Sequence, residues 1–138
     1  MRVPQSLDYA VRALVLLAVQ PPGEYVAAGE LADRLGLPRR FVEQQITALS
    51  RAGIVECRRG ASGGCALARS ARDVSIFDIV QAVQGVVLDV PRVTGSAASA
   101  LWQDAAEELG RYLQSVSLEA LAERQRELDG AASSMYWI

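Results

Sequence analysis

The sequence predicts a mainly α-helical fold with one small β-hairpin: a winged helix-turn-helix followed by a long C-terminal dimerisation helix. Three observations carry that prediction. Apolar residues recur at the spacing of one helix face through most of the chain. Two of these helical stretches are joined by a short turn around Gly36, and the second carries Arg39, Arg40 and Gln44 on its polar side. Directly afterwards "GIVECRRGASGGCALA" has two short runs around a glycine-rich turn, which reads as a β-hairpin, and a helix-turn-helix followed by a hairpin is a winged helix. A chain of 138 residues is one ordinary domain, or a small one with a dimerisation extension.

Each element has its own local cause. Ser6 is placed to cap a first helix, "LDYAVRALVLLAVQ", with Leu7, Ala10, Val11, Leu14, Val15, Leu17 and Ala18 on a broad apolar face, and Pro21-Pro22-Gly23 stops it. A short second helix fits "GELADRLG", with Gly36 as its C-terminal cap. Pro38 stands at the first position of a third helix, "PRRFVEQQITALSRA", where a missing N–H costs nothing; Val42, Ile46 and Leu49 form its stripe and Gly53 ends it. Leu37 is a poor cap, which leaves N–H groups free at that helix start.

Ser75 caps the next helix, "IFDIVQAVQ", with Asp78 in its first turn and Gly85 at its end. Residues 86–95, "VVLDVPRVTG", lack helical periodicity and read as a linker between a module at 1–85 and a C-terminal part at 96–138. Ser96 opens a long helix to about Val116, with Leu101, Ala105, Leu109 and Leu113 along one side and Trp102 and Tyr112 nearby; Ser117 caps a last helix that Gly130 closes. Gly110 inside the long helix marks either a close crossing of partner helices or a tolerated glycine. Trp102 and Tyr112 serve either core or dimer packing or an effector pocket. The apolar ending "MYWI" is expected to dock on the body or on a second subunit.

Composition narrows the chemistry. With 51% hydrophobic and 22% charged residues the chain is a folded soluble protein, and its longest apolar run, "ALVLLAV", falls short of the ~18 residues a membrane span needs. No secretory signal is recognisable, so a cytoplasmic location and reduced thiols are expected. All 14 cations are arginine and there is no histidine, which excludes histidine acid–base catalysis, Ser-His-Asp triads and imidazole metal sites. Two cysteines cannot by themselves close a zinc or iron–sulfur site. The net charge of −2 hides a split: residues 1–72 hold ten arginines against six acids (+4), and residues 73–138 hold four against ten (−6). A basic module able to meet phosphates is joined to an acidic part with another task.

Strand alternation puts Val55, Cys57, Cys65 and Leu67 on one inward face, where the cysteines serve as small buried hydrophobes. They are also the candidate redox pair. A disulfide needs direct cross-strand opposition, which follows only if Gly60 to Ser62 form a three-residue loop.

Four strings carry a resemblance: "LDYAVRAL" at 7–14, "LADRLGLPRRFVEQQITALSRAGIVECRRGASGGCALAR" at 31–69, "SIFDIVQAVQG" at 75–85 and "ALWQD" at 100–104. Together they resemble the Rrf-two family (IscR/NsrR/CymR-type) of winged helix-turn-helix transcription regulators over nearly the whole chain. The resemblance implies a homodimer in which the helix at 96–116 crosses its partner's and two winged helices read a palindromic operator in double-stranded DNA. By position, Arg39, Arg40, Glu43 and Gln44 would face base edges or phosphates in the major groove. Arg59, next to Gly60, would be the minor-groove arginine, and at least one of Arg58 and Arg59 would enter or line that groove. Those residue types suit the tasks, since a guanidinium fits the negative potential of a narrow groove, glutamine pairs with adenine and glutamate accepts from cytosine.

Many members of the family hold an iron–sulfur cluster on three closely spaced cysteines just before the "ALW" string. Here that interval is "VVLDVPRVTGSAAS", without a cysteine. Asp8 resembles the carboxylate that completes the site in one nitric-oxide-sensing relative, but a carboxylate without thiolates holds nothing. The implied protein is a cytoplasmic, cluster-free repressor without a cofactor, answering to a protein or small-molecule effector. The alternative is a winged-helix module whose acidic half docks a metabolic enzyme.

Overall fold

The computed structural model describes residues 1–136. Helix α1 (Gln5–Val19) leads, followed by α2 (Ala28–Leu35), α3 (Arg39–Arg51), a hairpin of β1 (Val55–Arg58) and β2 (Gly64–Leu67), a 3-10 turn (Ala71–Asp73), α4 (Ile76–Gln84), α5 (Ala97–Ser115) and α6 (Leu118–Tyr136). The mainly helical winged-helix class is as expected from the sequence.

The core forms around α1. Ala10, Ala13, Leu14 and Leu17 lie on one face and are buried, at the i, i+3, i+4, i+7 spacing of an amphipathic helix. Leu31 from α2, Val42 and Leu49 from α3, Ile54 before β1, Ile79 from α4 and Leu118 from α6 are buried in the same cluster. Each such side chain contributes roughly 1.5–3 kcal/mol.

Element ends correct the sequence reading in three places. Ser6 does not cap α1; the helix begins at Gln5, two residues before the expected Leu7, because Pro4 pre-sets the backbone and its carbonyl accepts from the Asp8 N–H at 3.1 Å. Pro38 is the cap residue of α3 and not its first helical residue: its ψ of 127° is extended, and its carbonyl accepts from Phe41 and Val42. Gly130 does not close α6, which runs on to Tyr136, since glycine weakens a helix interior without forcing a left-handed turn and alanines follow it.

The other punctuation holds. Gly36 takes φ 65° and closes α2. Ser75 and Asp78 form a reciprocal capping box on α4, Ser96 accepts from the Ser99 N–H at the start of α5, and Ser117 accepts from the Ala120 N–H in the first turn of α6. After α5 the chain returns to the body: Ile76 N–H donates to the Val116 carbonyl at 2.9 Å, Leu118 N–H to the Val74 carbonyl at 2.7 Å, and the Arg126 guanidinium to the Ala18 carbonyl of α1.

Helix α5 stands out from this body on α4. Its Gly110 is buried, and an added Cβ would lie 3.8 Å from the Phe77 ring, an ordinary packing distance, so the position has room for alanine, in keeping with the tolerated glycine among the two expectations. Leu113 packs on the core, whereas Leu101, Trp102, Leu109 and Tyr112 are exposed, from 37% for Leu109 to 64% for Tyr112. Trp102 and Tyr112 are therefore not core residues of this chain. The expected docking of "MYWI" extends beyond the described residues.

Candidate nucleic-acid interface

The second helix of the helix-turn-helix is α3, presented by the Gly36 turn. Its buried stripe of Val42, Ile46 and Leu49 holds it on the body. The opposite side exposes Arg39, Arg40, Glu43, Gln44 and Thr47. No side chain caps its N-terminus, so the first-turn N–H groups sit beside two guanidinium groups in the kind of field an anion prefers. Arg39 Nε donates to Glu43 Oε1 at 2.8 Å across one helical turn. The same guanidinium lies over Gly29 of α2, where an added Cβ would come within 3.3 Å of its central carbon. Two residues expected to act separately are thus paired, and Gly29 leaves room for that arrangement. Phe41 is half exposed and meets Tyr9 of α1 edge-on, with centroids 6.3 Å apart.

The hairpin is the wing. Val55 pairs with Leu67, Glu56 with Ala66, Cys57 with Cys65 and Arg58 with Gly64. Cys65 also bridges Val26 on the far side of β2: its N–H donates to the Val26 carbonyl at 2.8 Å and its carbonyl accepts from Val26 at 2.9 Å. That bond pair anchors the wing to the strand-like stretch before α2. Gly64, with φ 141°, lies so close to it that an added Cβ would sit 2.6 Å from the Val26 carbonyl carbon. At the tip Gly60 takes φ 109° and Arg59 is fully in solvent-facing territory beside it.

Arg58 is not free. Its guanidinium carbon lies 4.5 Å from the centroid of the Tyr25 ring. Tyr25 in turn donates its hydroxyl to Glu56, the residue before Cys57. That hydrogen bond raises the Tyr25 hydroxyl above its ordinary pKa, with partial desolvation adding to it and Arg58 opposing. Sequence reasoning missed Tyr25 and Glu56, because 31 positions separate them and only the Val26–Cys65 bridge brings them together.

The expected inward face holds for Val55 and Cys65, which are buried, and for half-buried Leu67. It fails for Cys57, which is exposed on β1, the outer strand of the hairpin, while β2 alone bridges to Val26. The two thiols meet nonetheless, with Sγ atoms 2.6 Å apart. Burial, reinforced by Cys57, pushes the Cys65 thiol up to about 12.

The residues do not fit an iron–sulfur cluster. Both cysteines are in the wing, the 86–99 segment offers none, and Asp8 is engaged with Arg12 at 2.9 Å. Among the described residues no group of three or more Cys, Asp or Glu side chains is arranged to hold a metal ion, and no helix is long and apolar enough to cross a membrane.

Comparison with known proteins agrees with this architecture. Residues 3–124 match the family model described as "Rrf2: Iron-dependent Transcriptional regulator". An rrf2-like HTH-type transcriptional regulator of Rhodobacter capsulatus is 37% identical over 98 residues, covering 69% of this chain and 65% of its own length. The HTH-type transcriptional regulator IscR of Xenorhabdus nematophila is 31% identical over 140 residues, covering 95% of this chain and 85% of its own length. Among solved structures, T. potens IscR superposes with TM-score 0.80 at 30% identity, covering 93% of this chain and 90% of that one. CymR of B. subtilis superposes with TM-score 0.81 at 24% identity, covering 90% and 98%, which shows the shared fold. The two sequence relatives are described as HTH-type transcriptional regulators. With the matched residues spanning the wing, α3 and α5, the chain belongs to the Rrf2 family of winged-helix transcription regulators.

Proposed function

We propose that this chain works in the cytoplasm as a homodimeric repressor that binds a palindromic operator without an iron–sulfur cluster. The observation that carries this reading is the pairing of an uncapped, arginine-flanked α3 with an arginine-tipped wing anchored on the same body. In this reading Arg40 and Gln44 contact base edges or phosphates from the major groove. Arg39 and Glu43 reach the DNA by exchanging their mutual ion pair for phosphate and base contacts. Arg59, beside Gly60, enters the minor groove, and Arg58 lines it from its seat on Tyr25. Phosphate contacts supply salt-dependent affinity through counterion release, and α3 with the wing supplies sequence preference.

Twofold assembly rests on α5. A stripe of Leu101, Trp102, Leu109 and Tyr112 stands exposed at helical spacing, and covering it with the partner's α5 removes an apolar patch from water. The body formed by residues 1–85 together with α6 then reads DNA, the 86–95 segment spans to α5, and the acidic face of α5 remains for an effector.

Selection from a random duplex pool tests the proposal. Enrichment of an inverted repeat, with half-site centres about 10 bp or a multiple apart, is the expected result. A single asymmetric half-site, or no enrichment while a metabolic enzyme is retained on the immobilised protein, overturns it.

A further inference from the structure

We infer that Cys57 and Cys65 form a hydroperoxide-responsive dithiol whose oxidation to an intramolecular disulfide staples the wing and strengthens DNA binding. The first argument is the register. Cys57 and Cys65 are direct partners in an antiparallel pair. The N–H and C=O of a strand residue point to the same side, and both of those groups of Cys65 are spent on Val26. They therefore point away from β1, and Cys57–Cys65 is a non-hydrogen-bonded pair, the class in which antiparallel backbones and side chains approach most closely. Such a pair has Cα atoms about 4.5 Å apart, inside the range a disulfide spans.

The second argument is placement. The two thiols face each other across the strand pair, so closure needs no change of register. Cys57 is exposed and meets a dissolved oxidant, while Cys65 is buried behind it at the joint with Val26. The Cys65 thiol, raised by that burial, keeps its proton and is not the sulfur that attacks first. The roles are thus asymmetric.

The Cys57 sulfur attacks one oxygen of ROOH, the O–O bond breaks, and Cys57 becomes a sulfenic acid as ROH leaves. The Cys65 sulfur then attacks the Cys57 sulfur, the S–O bond breaks, and the hydroxyl leaves as water with the Cys65 proton. Two thiols lose two electrons and the hydroperoxide gains them. A dithiol reductant restores both thiols by exchange and leaves as its own disulfide.

The consequence falls on the wing because Arg58 and Arg59 follow Cys57 directly. A covalent rung beside them removes freedom that DNA binding otherwise has to remove, so the oxidised wing is pre-ordered for the minor groove. This last link rests on the proposed DNA-binding function, whereas the disulfide does not.

The test uses the full chain, reduced and freed of oxygen, then treated with hydrogen peroxide. Expected are an intact mass lower by two hydrogens, loss of both alkylatable thiols, and no covalent dimer on a non-reducing gel. Cys65→Ser should accumulate a sulfenic acid on Cys57 that a cyclic 1,3-dione traps, and Cys57→Ser should stay unmodified. On the selected operator the oxidised protein should bind about fivefold more tightly than the reduced one, and neither serine variant should respond. Thiols that persist under peroxide, intermolecular disulfides, or dione adducts on Cys65 overturn the dithiol. A disulfide with equal or weaker operator binding overturns its coupling to DNA. Failure of both forms to bind any duplex, with the mass change intact, counts against the DNA-binding proposal alone.

Discussion

Arg58 sits over the Tyr25 ring at 4.5 Å while the Tyr25 hydroxyl donates to Glu56, so one tyrosine holds both a cation and a carboxylate of the same strand. Glu56 and Arg58 are two residues apart on β1 and share a face. Tyr25 fixes where that face presents its arginine. Replacing Tyr25 with Leu should weaken DNA binding roughly threefold by releasing Arg58. Tyr25→Phe, which keeps the ring, should weaken it less. In an anisotropy titration the Tyr25→Leu effect should vanish in an Arg58→Ala background; an undiminished effect there would show that the tyrosine acts elsewhere.

The same hydroxyl sets a pH dependence. Its folded-state pKa is raised, chiefly by donating to Glu56, so the protonated form is the one the fold favours. The contribution is complete below the ordinary tyrosine value of about 10 and is lost as pH climbs through the folded value. An ultraviolet titration should show one tyrosinate forming late in the native protein, and Tyr25→Phe should delete that late step.

Arg59 at the tip and Arg39 on α3 are expected to fail differently. Arg59→Ala should cost about 1–3 kcal/mol of operator binding and relax preference at the positions the wing reaches. Arg39→Ala should weaken all duplexes alike and lower the salt slope by about one, as loss of a phosphate contact does. Identical behaviour of the two variants on operator and random DNA would contradict this division.

Helix α6 is part of the body's core through Leu118, which is fully buried. Leu118→Ala should destabilise the fold by about 2–5 kcal/mol in urea unfolding. Leu128→Ala, on an exposed part of the same helix, should change stability by no more than about 0.5 kcal/mol. Similar losses at both positions would mean that α6 is held by something other than its first turns.

The exposed stripe on α5 gives the dimer its own test. Leu101→Glu combined with Tyr112→Glu should convert a species of twice 14.8 kDa to monomer in sedimentation, with helix content preserved and operator affinity sharply reduced. An unchanged sedimentation profile would remove α5 as the interface.

Most elements were legible because their causes are local. Glycines at 36 and 85, serines at 75, 96 and 117 and the apolar spacing of α1 and α3 act within one turn of chain, and backbone hydrogen bonding answers to them directly. Where those signals misled, at Ser6, Pro38 and Gly130, a neighbouring residue offered the backbone a competing arrangement. The arginines of α3 and the wing were likewise readable, since an exposed cation on a presented helix needs no partner to be recognised. What the sequence by itself determined, then, was the order of elements, the family and the arginines exposed on α3 and the wing.

Tertiary structure alone decided how those side chains are held. Arg39 is tied to Glu43 over Gly29, Arg58 rests on Tyr25, Gly110 faces Phe77, and Leu118 returns to the core under α1. Above all, the bridge from Val26 to Cys65 sets the hydrogen-bonding phase of the hairpin, and with it the contact between the two sulfurs. Such contacts join residues far apart in the chain, and a one-residue slip of register would reverse every one made by the wing. Local sequence has no means of choosing between those registers; the packing of β2 against the body does.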